Sequence, residues 1–334
     1  MGVDLGSLVV AHDIELGSLK TKKLAIDAYN TLYQFLSIIR QRDGTPLMDS
    51  KGRVTSHLSG LFHRTINLLE LGIKPCFVFD GQAPELKADV QEQRRAIKEK
   101  ATEEHKKALE KGDVEEARKW AQQTSRLTKE MVSESKKLIV AMGLPYVQAI
   151  GEGEAQAAWM VKEGMVHAVV SQDYDSLLFG APLLIRNLSV SGKRKLPGKQ
   201  AYVEVKPQKI SLVETLNNLK IVKEQLIKLA ILLGTDYNKG VKGIGPKKAL
   251  EIVKDLQFAK YTNEIKHWKR VEQMFLEPPI AKDFDLVWTE PKKNDIFHIL
   301  CNEHDFSKTR VENALKKLSE AKGERSQEGL DEFF

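Results

Sequence analysis

The sequence predicts an α/β protein whose central, mostly parallel sheet is flanked by helices. Short apolar runs of strand length, rich in β-branched and aromatic residues, alternate with longer segments of helical character. Such alternation is typical of a parallel sheet, because each connection between parallel strands crosses over through a helix. Four of the apolar runs are followed at once, or within three residues, by acidic residues. These acidic residues indicate where a functional site would lie on the sheet.

The candidate strands cover residues 23–26, 76–79, 145–150, 166–170 and 182–185, with a further strand near 201–205. Residues 55–71 carry an apolar stripe at helical spacing, so we expect a helix between the first two strands. The basic stretch 191–200 is interpreted as an exposed loop between two strands. From Ile221 onward we expect only helices, followed by a polar linker at 321–326.

The amino-acid composition excludes several classes of protein. Of the 334 residues, 42% are hydrophobic, which is enough for a sizeable core. No apolar run approaches the length that crosses a membrane, and the N-terminus lacks the features of a signal peptide. Two cysteines are too few for a disulfide framework, so we expect a reducing, intracellular setting. The net charge of +6 is compatible with a nucleic-acid partner but is weak evidence alone.

The acidic residues at strand ends are the most informative feature. Because the carboxyl ends of parallel strands share one edge of the sheet, the residues that follow them converge in one crevice. Unpaired, so many carboxylates would repel one another, and several would take up protons. Divalent cations resolve this conflict, and Mg²⁺ prefers oxygen ligands. The residues are Asp27, Asp80, Glu152, Glu154, Asp173 and Asp175.

The number of acids favours two ions. Two metal ions about 3.5–4 Å apart stabilise both the attacking and the leaving oxygen of a phosphoryl displacement. A single acid at a strand end is commonly a turn or cap residue, but that explanation does not account for four strand ends together. A seventh acid, Asp236, follows an apolar helix at 226–233 and either caps the next segment or reaches the same cluster. The sequence has no serine-hydrolase or P-loop motif and no cysteine spacing typical of zinc.

A glycine-rich turn opens a helix at residues 240–249, which read GVKGIGPKKA. Proline suits the first position of a helix, and bare backbone amides at a helix N-terminus favour a phosphate group. We therefore expect a helix–hairpin–helix turn that grips one DNA backbone without reading bases. The alternative is an ordinary turn between helices with solvated lysines. The expected contacts are Gly240, Lys242, Gly243, Gly245, Lys247 and Lys248.

Residues 85–137 differ in character from the rest. They are dense in Lys, Glu, Arg and Gln and have a high helix propensity. Two interpretations remain open at this point. The segment is either a solvated helical pair that crosses the surface or an arm that contacts a polyanion.

These stretches resemble the flap endonucleases, a family of structure-specific 5′ nucleases of DNA replication and repair. The resemblance runs nearly end to end and includes MGVDLGSL, KLAIDAYNTLYQFL, GEGEAQAAWM, SQDYDSLLFG and LLGTDYNKGVKGIGP. It implies a PIN-like fold with a central mixed sheet and a helical arch over the active site. It also implies that a phosphodiester is hydrolysed where a 5′ flap meets duplex DNA, as in Okazaki fragment maturation. Two Mg²⁺ ions would carry out this hydrolysis, and Mn²⁺ could substitute for them. A 5′-3′ exonuclease activity accompanies it, and the seven acids fall on the family's metal-site positions.

The resemblance also assigns roles outside the acid cluster. Lys87 and Arg94 match family positions whose cationic side chains act on the scissile phosphate. They are seven residues apart and would face the same way on a helix, and Lys98 continues this stripe. Tyr33 matches an aromatic that stacks on the base next to the cut, the alternative being a core tyrosine. Gly2 would lie near the metals. The backbone carbonyls of Gly240, Val241 and Ile244 would bind a potassium ion.

The last eight residues, QEGLDEFF, resemble the family's sliding-clamp binding motif. Gln327, Leu330, Phe333 and Phe334 would dock into a pocket on the clamp PCNA, the alternative being packing on the protein's own body. Eukaryotic relatives continue with a basic extension, so we expect an archaeal-type, cytoplasmic protein, nuclear only if eukaryotic. We expect a monomer that binds branched DNA and no membrane.

The resemblance divides the chain into five regions. We expect nuclease parts at 1–84 and 138–220, with the helical arch at 85–137 between them. A helical region with the glycine-rich turn covers 221–320, and a flexible tail covers 321–334. Two other functions remain as alternatives. The first is a sibling 5′ nuclease that cuts bubbles or four-way junctions, and the second is a non-catalytic DNA scaffold associated with the clamp.

Overall fold

A seven-stranded mixed sheet forms the centre of the computed structural model, which describes residues 2–82, 84–121, 124–188, 192–195 and 202–331. Its strands are β1 (Ala11–Asp13), β2 (Lys23–Asp27), β3 (Lys74–Phe79), β4 (Tyr146–Gln148), β5 (Ala168–Val170), β6 (Leu183–Arg186) and β9 (Gln208–Ser211). Their order across the sheet is β1-β9-β6-β5-β2-β3-β4. The five strands from β6 to β4 are parallel, and β1 and β9 pair antiparallel at one side. The predicted fold class is therefore confirmed.

Helices cover both faces of this sheet. They are α1 (Ala28–Ile38), α2 (Ser56–Glu70), α3 (Ala88–Glu110), α4 (Val114–Ala121), α5 (Lys129–Ala141), α6 (Gly153–Lys162), α7 (Asp175–Leu178), α8 (Leu212–Leu219), α9 (Lys223–Leu233), α10 (Pro246–Lys254), α11 (Trp268–Leu276), α12 (Lys293–Phe297) and α13 (Lys308–Asp331). The helix predicted at 55–71 is α2, with Thr55 and Leu71 as its caps. No described helix is long and apolar enough to cross a lipid bilayer.

Two apolar clusters fill the space between the sheet and the helices. Successive strand side chains point to opposite faces, and β2 shows this alternation. Ala25 belongs to a cluster with residues of α6, α7, α9 and α10 on one face. Leu24 and Ile26 belong to a cluster with residues of α1, α2, α5 and α13 on the other. Because β2 and β3 are covered on both sides, the sequence of the central strands is apolar nearly throughout.

Some predicted strands differ from the observed ones. The strand expected at 145–150 is limited to Tyr146–Gln148, because residues after it turn toward α6. The expected loop at 191–200 contains a strand, β7 (Gly192–Lys195), which pairs with β8 (Tyr202–Val205) in a separate two-stranded sheet. The two outer strands β1 and β9 were not predicted. They are short, and β1 is fully exposed, so neither carries an apolar signal.

The second half of the chain is not entirely helical. Residues 278–292 form an extended strap without helix or strand, in keeping with the prolines at 278, 279 and 291. The buried side chain of Gln156 on α6 donates to the carbonyl of Ala281 at 2.9 Å and accepts from its amide at 2.8 Å. The indole of Trp288 donates to the carbonyl of Pro75 at 2.8 Å. The strap is therefore hydrogen-bonded both to α6 and to strand β3 of the sheet.

The polar linker expected at 321–326 is instead helical, because α13 continues to Asp331. The Ala, Lys, Glu and Arg residues of 321–326 favour a helix, and the one glycine in this stretch, Gly323, costs only about 1 kcal/mol. Gln327 and Leu330 of the clamp motif are therefore on a helix, not on a flexible tail. Phe333 and Phe334 lie outside the described residues.

The segment 85–137 is helical as predicted, and its helices α3 and α4 form an arm. It begins with a 3₁₀ turn at Glu85–Lys87, continues as α3 and α4, which pack together, and returns through α5. Alanines at 101, 108, 117 and 121 are buried, which lets the two helices approach closely. The predicted boundary at residue 137 falls inside α5. Lys87 lies in the 3₁₀ turn and not on α3, so the argument that it faces the same way as Arg94 on one helix is wrong.

Candidate active site

The carboxyl edge of the parallel strands brings acidic side chains together. Asp27 ends β2 and caps α1, since its carboxylate accepts from the amide of Asn30 at 3.0 Å. In the neighbouring strand β3, Val78 is paired with Asp27, so Asp80 lies two residues beyond that pair. Asp80 accepts from the amide of Gly153 at 2.7 Å. This bond joins the end of β3 to the start of α6.

The two acids of α6 lie at its N-terminus. Glu152 is the N-cap residue, and Glu154 is in the first turn, where the helix dipole favours negative charge. Alanines on α6 are buried, so the helix sits close to the sheet and holds both carboxylates over the edge.

Asp173 and Asp175 come from the turn that follows β5. The carboxylate of Asp175 is buried and accepts from the amide of Val3 at 2.8 Å. A Cβ placed on Gly2 would overlap this carboxylate, so a glycine is required there. Gly2 therefore lies beside the acid cluster, as the family resemblance implied.

Asp236 reaches the cluster from the helical region. It stands in a tight turn in which the hydroxyl of Thr235 donates to the side chain of Asn238 at 2.8 Å. The Asn238 side chain donates to the carbonyl of Ile231 at 2.7 Å, which anchors the turn to α9. Of the two roles considered for Asp236, the structure shows the second, because its carboxylate lies 3.6 Å from the Lys87 ammonium.

Lys87 is inserted among these carboxylates. Its ammonium is 2.6 Å from a carboxylate oxygen of Glu152 and lies 5.3 Å from the ring centre of Tyr237. Burial alone would lower the pKa of Lys87, but the charge and hydrogen bond of Glu152 raise it well above its ordinary value. The side chain is therefore a permanent cation inside the site. The side chain of Arg94 is outside what the structure describes.

Burial and mutual repulsion raise the pKa values of four of the acids. Burial, then the charge of Asp80, raises the pKa of Asp27 from 3.8 to about 7. Burial and Glu152 raise the pKa of Asp80 to about 6. Burial, with Asp236 and Asp173 nearby, raises the pKa of Asp175 to about 7. Burial, then the charges of Asp175, Asp27 and Asp173, raises the pKa of Glu154 well above its ordinary value.

The donor set fits a hard divalent cation. All seven acids expected at the site are gathered at one edge, and their oxygen ligands suit Mg²⁺. The raised pKa values of four of these acids, Asp27, Asp80, Glu154 and Asp175, indicate a shortage of positive charge that a bound cation would remove. No three acids in the described part of the chain already form a compact binding group.

A basic pocket lies between α1 and the arm. It has a volume of about 320 Å³ and is lined by Tyr33, Arg95, Lys98, Arg126 and Leu127. The ammonium of Lys98 lies 4.8 Å from the ring centre of Tyr33, which is 36% exposed. Tyr33 is thus not a core tyrosine. Sequence reasoning missed Arg95 and Arg126, because single arginines in a basic helical segment give no signal of a pocket.

The glycine-rich turn has the geometry expected of a helix–hairpin–helix motif. It joins α9 to α10, with Gly245 as N-cap and Pro246 as the first helical residue. Gly240 and Gly243 have positive φ angles of 70° and 81°. A Cβ on Gly240 would lie 2.5 Å from the backbone of Leu233, so this glycine permits close packing. A Cβ on Gly243 or Gly245 would meet no described atom within 4 Å.

Comparisons with known proteins agree with this geometry. Residues 4–101 match the family model described as the XPG N-terminal domain, and residues 143–236 match the XPG I-region. A Flap endonuclease 1 of Pyrococcus furiosus is 54% identical over 338 residues, covering 100% of this chain and 99% of that protein. Flap endonuclease-1 from Methanococcus jannaschii has a solved structure that matches with a TM-score of 0.78 at 43% identity, covering 97% of this chain and 100% of that one.

A more distant structure shares the fold. The catalytic core of Rad2 in complex with DNA substrate is 24% identical, with a TM-score of 0.67, and the match covers 94% of this chain and 97% of that one. The Pyrococcus protein is identical to this chain at more than half of the aligned positions, over the full length of this chain. This identity establishes the family. This chain belongs to the flap endonuclease family.

Proposed function

We propose that this chain is a structure-specific nuclease that hydrolyses a phosphodiester where a single-stranded 5′ flap meets duplex DNA, and that it also acts as a 5′-3′ exonuclease. One observation carries the proposal. Seven carboxylates and the cation Lys87 are gathered at the carboxyl edge of the sheet, at the base of a helical arm. This activity serves DNA replication, as in Okazaki fragment maturation, and DNA repair.

The carboxylates would hold two Mg²⁺ ions, for which Mn²⁺ can substitute. The bound cations would act as Lewis acids and lower the pKa of water, which supplies a nucleophile at neutral pH. The residues that would hold them are Asp27, Asp80, Glu152, Glu154, Asp173, Asp175 and Asp236. Burial of this edge excludes bulk water, so the charges act on the substrate with little screening.

Lys87 stabilises charge that develops on the scissile phosphate. The transition state of phosphoryl transfer spreads negative charge over the non-bridging oxygens, and a fixed cation stabilises that charge. Lys87 keeps its proton because its neighbours raise its pKa. It is partly buried, and the 3₁₀ turn Glu85–Lys87 fixes its backbone. Arg94 on α3 supplies a second cation in this proposal.

Two further surfaces hold the DNA. Backbone amides of the turn at Gly243 and Gly245, with Lys242, Lys247 and Lys248, contact phosphates of the duplex. The carbonyls of Gly240, Val241 and Ile244 would bind K⁺. The Val241 carbonyl accepts from the Ile244 amide at 3.2 Å and keeps a second lone pair for the ion. The basic pocket around Tyr33 and Lys98 takes the unpaired strand, with its base stacked on the ring.

The C-terminal motif gives the protein a partner. Gln327, Leu330, Phe333 and Phe334 dock the chain on the sliding clamp PCNA, and the protein works as a cytoplasmic monomer. Gln327 and Leu330 are on α13, and a helix is suited to a groove on a partner. Clamp binding would keep the nuclease at newly replicated junctions.

A panel of substrates tests the proposed function. Double-flap, bubble and four-way-junction DNAs with the same 5′ label would be incubated with the protein and Mg²⁺, and the products sized. Release of the intact flap by one cut near the junction supports the proposal. Preferential cutting of the bubble or the four-way junction would instead identify a sibling 5′ nuclease. Tight binding without any cutting would identify a scaffold.

A further inference from the structure

The side chain of Asn30, in the first turn of α1, joins two of the chain segments that form the acid cluster. Its amide nitrogen donates to a carboxylate oxygen of Asp173 at 3.0 Å. Its amide oxygen accepts from the backbone amide of Gln172 at 3.2 Å. Its own backbone amide donates to the carboxylate of Asp27 at 3.0 Å. One residue thus contacts both acids and the turn between them.

Ser171 forms a second link between the same two segments. Its side chain is buried, and its hydroxyl donates to the other carboxylate oxygen of Asp27 at 3.1 Å. The same hydroxyl oxygen accepts from the backbone amide of Asp173 at 3.2 Å. Asn30 and Ser171 therefore both connect the end of β2 to the turn after β5. Each donates to a different carboxylate oxygen of Asp27.

These bonds oppose an electrostatic force. The negative charge of Asp173 raises the pKa of Asp27, so the two carboxylates repel each other. A carboxylate that accepts hydrogen bonds is held in one orientation, whereas an unrestrained pair would move apart. Asparagine carries a donor and an acceptor on one short side chain, so it can satisfy a carboxylate and a backbone amide together.

We propose that Asn30 is a positioning residue that, together with Ser171, sets the separation and orientation of the Asp27 and Asp173 carboxylates for a divalent cation. The inference rests on the proposed function, because it takes these acids to be metal ligands. Partners that orient metal ligands have a large effect in other metal sites, where their loss costs about 10–100-fold in metal affinity or activity. Asn30 contacts both acids and the backbone of Gln172.

Cation binding in the absence of DNA tests this role without relying on catalysis. Calorimetric titration with Ca²⁺ would compare the unaltered protein with Asn30→Ala and with Asn217→Ala, a change at an exposed asparagine on α8. We expect Asn30→Ala to weaken Ca²⁺ binding by about 10-fold or more, and Asn217→Ala to leave it unchanged. Flap cleavage by Asn30→Ala should need more Mg²⁺ but regain its rate at saturation. Unchanged Ca²⁺ affinity and Mg²⁺ requirement in Asn30→Ala would overturn the proposal.

Two further variants complete the experiment. Ser171→Ala removes the second link without altering α1, so it provides the same test if Asn30→Ala does not fold, and we expect the same loss of affinity. Asp173→Asn tests the proposed function separately, because it removes an expected ligand. If Asp173→Asn binds Ca²⁺ normally, the metal site itself is placed wrongly. If Asp173→Asn loses binding but the other two variants do not, only the positioning role fails.

Discussion

At the scale of single residues, the site depends on a balance between buried negative charge and one buried cation. Lys87 lies 2.6 Å from Glu152 and 3.6 Å from Asp236, and it also lowers the pKa of Asp80 and Asp175. Four of the surrounding acids nevertheless have raised pKa values. A single ammonium therefore does not neutralise the cluster, and the remaining charge is available for divalent cations.

Replacement of Lys87 by alanine should affect chemistry more than binding. We expect the single-turnover rate of flap cleavage to fall by about 10²–10³, which is typical when one fixed donor is removed from a developing charge. DNA affinity should change little, because the turn and the basic pocket remain. Rapid-quench kinetics with excess enzyme measures the rate, and fluorescence anisotropy measures affinity. An unaltered cleavage rate would show that Lys87 has no part in the reaction.

The raised pKa values predict a pH-dependent effect of Mg²⁺ on stability. Without metal, Asp27 and Asp175 titrate at about 7 when folded, against an ordinary value of 3.8. Between these values the folded state holds more protons than the unfolded state, so the stability these groups contribute at low pH is lost as pH rises. A cation must displace those protons.

Thermal melts with and without Mg²⁺ would measure this effect. The increase in Tm on adding Mg²⁺ should grow as pH rises from about 4 to about 7 and then level off. Ionic strength would be held constant in all samples. An increase in Tm that is the same at every pH would contradict the raised pKa values.

At the scale of elements, the glycine-rich turn combines two kinds of glycine. Gly240 has a φ of 70°, and its Cα lies too close to the backbone of Leu233 to allow a side chain. Gly245 has an ordinary φ of −99°, and a Cβ there would meet no described atom within 4 Å. The fold explains the first glycine but not the second. Under the proposed function, close approach of a phosphate to the helix N-terminus would account for Gly245.

The two glycines therefore predict opposite results for the same substitution. Gly240→Ala should destabilise the protein by about 1–3 kcal/mol, through strain at positive φ and overlap with Leu233. Gly245→Ala should lower Tm by less than Gly240→Ala does, because only an N-cap preference is lost. It should weaken duplex binding, because its Cβ would occupy the space of the phosphate. Thermal melts and anisotropy on both variants provide the comparison. Duplex affinity that is normal in Gly245→Ala would contradict the phosphate contact.

At the scale of the whole molecule, the sequence predicts the site better than its surroundings. Parallel strands must share a carboxyl edge, so acids at their ends converge however the helices pack. The positions of Asp27, Asp80 and Asp175 followed from that rule. The strap at 278–292 and the strands β1 and β9 were not predictable, because their positions depend on tertiary contacts such as Trp288 with Pro75.

The contacts that refine the site were also hidden in the sequence. Asn30 joins Asp173 across 143 positions, and no local pattern signals such a pair. The position of Lys87 depends on a 3₁₀ turn where a continuous helix was expected. The sequence thus indicates which residues meet, whereas hydrogen bonds between distant segments determine how they are oriented.

The most direct test of the central claim compares cleavage and binding in one substitution at the acid cluster. Asp175→Asn keeps the acceptor for the Val3 amide but removes a charge that a cation requires. The variant and the unaltered protein would be incubated with a labelled double-flap DNA in Mg²⁺, and cleavage and anisotropy measured on the same samples. We predict that cleavage is nearly abolished while flap affinity is retained. Cleavage at the normal rate, or equal loss of cleavage and binding, would contradict a metal-dependent carboxylate centre at this edge of the sheet.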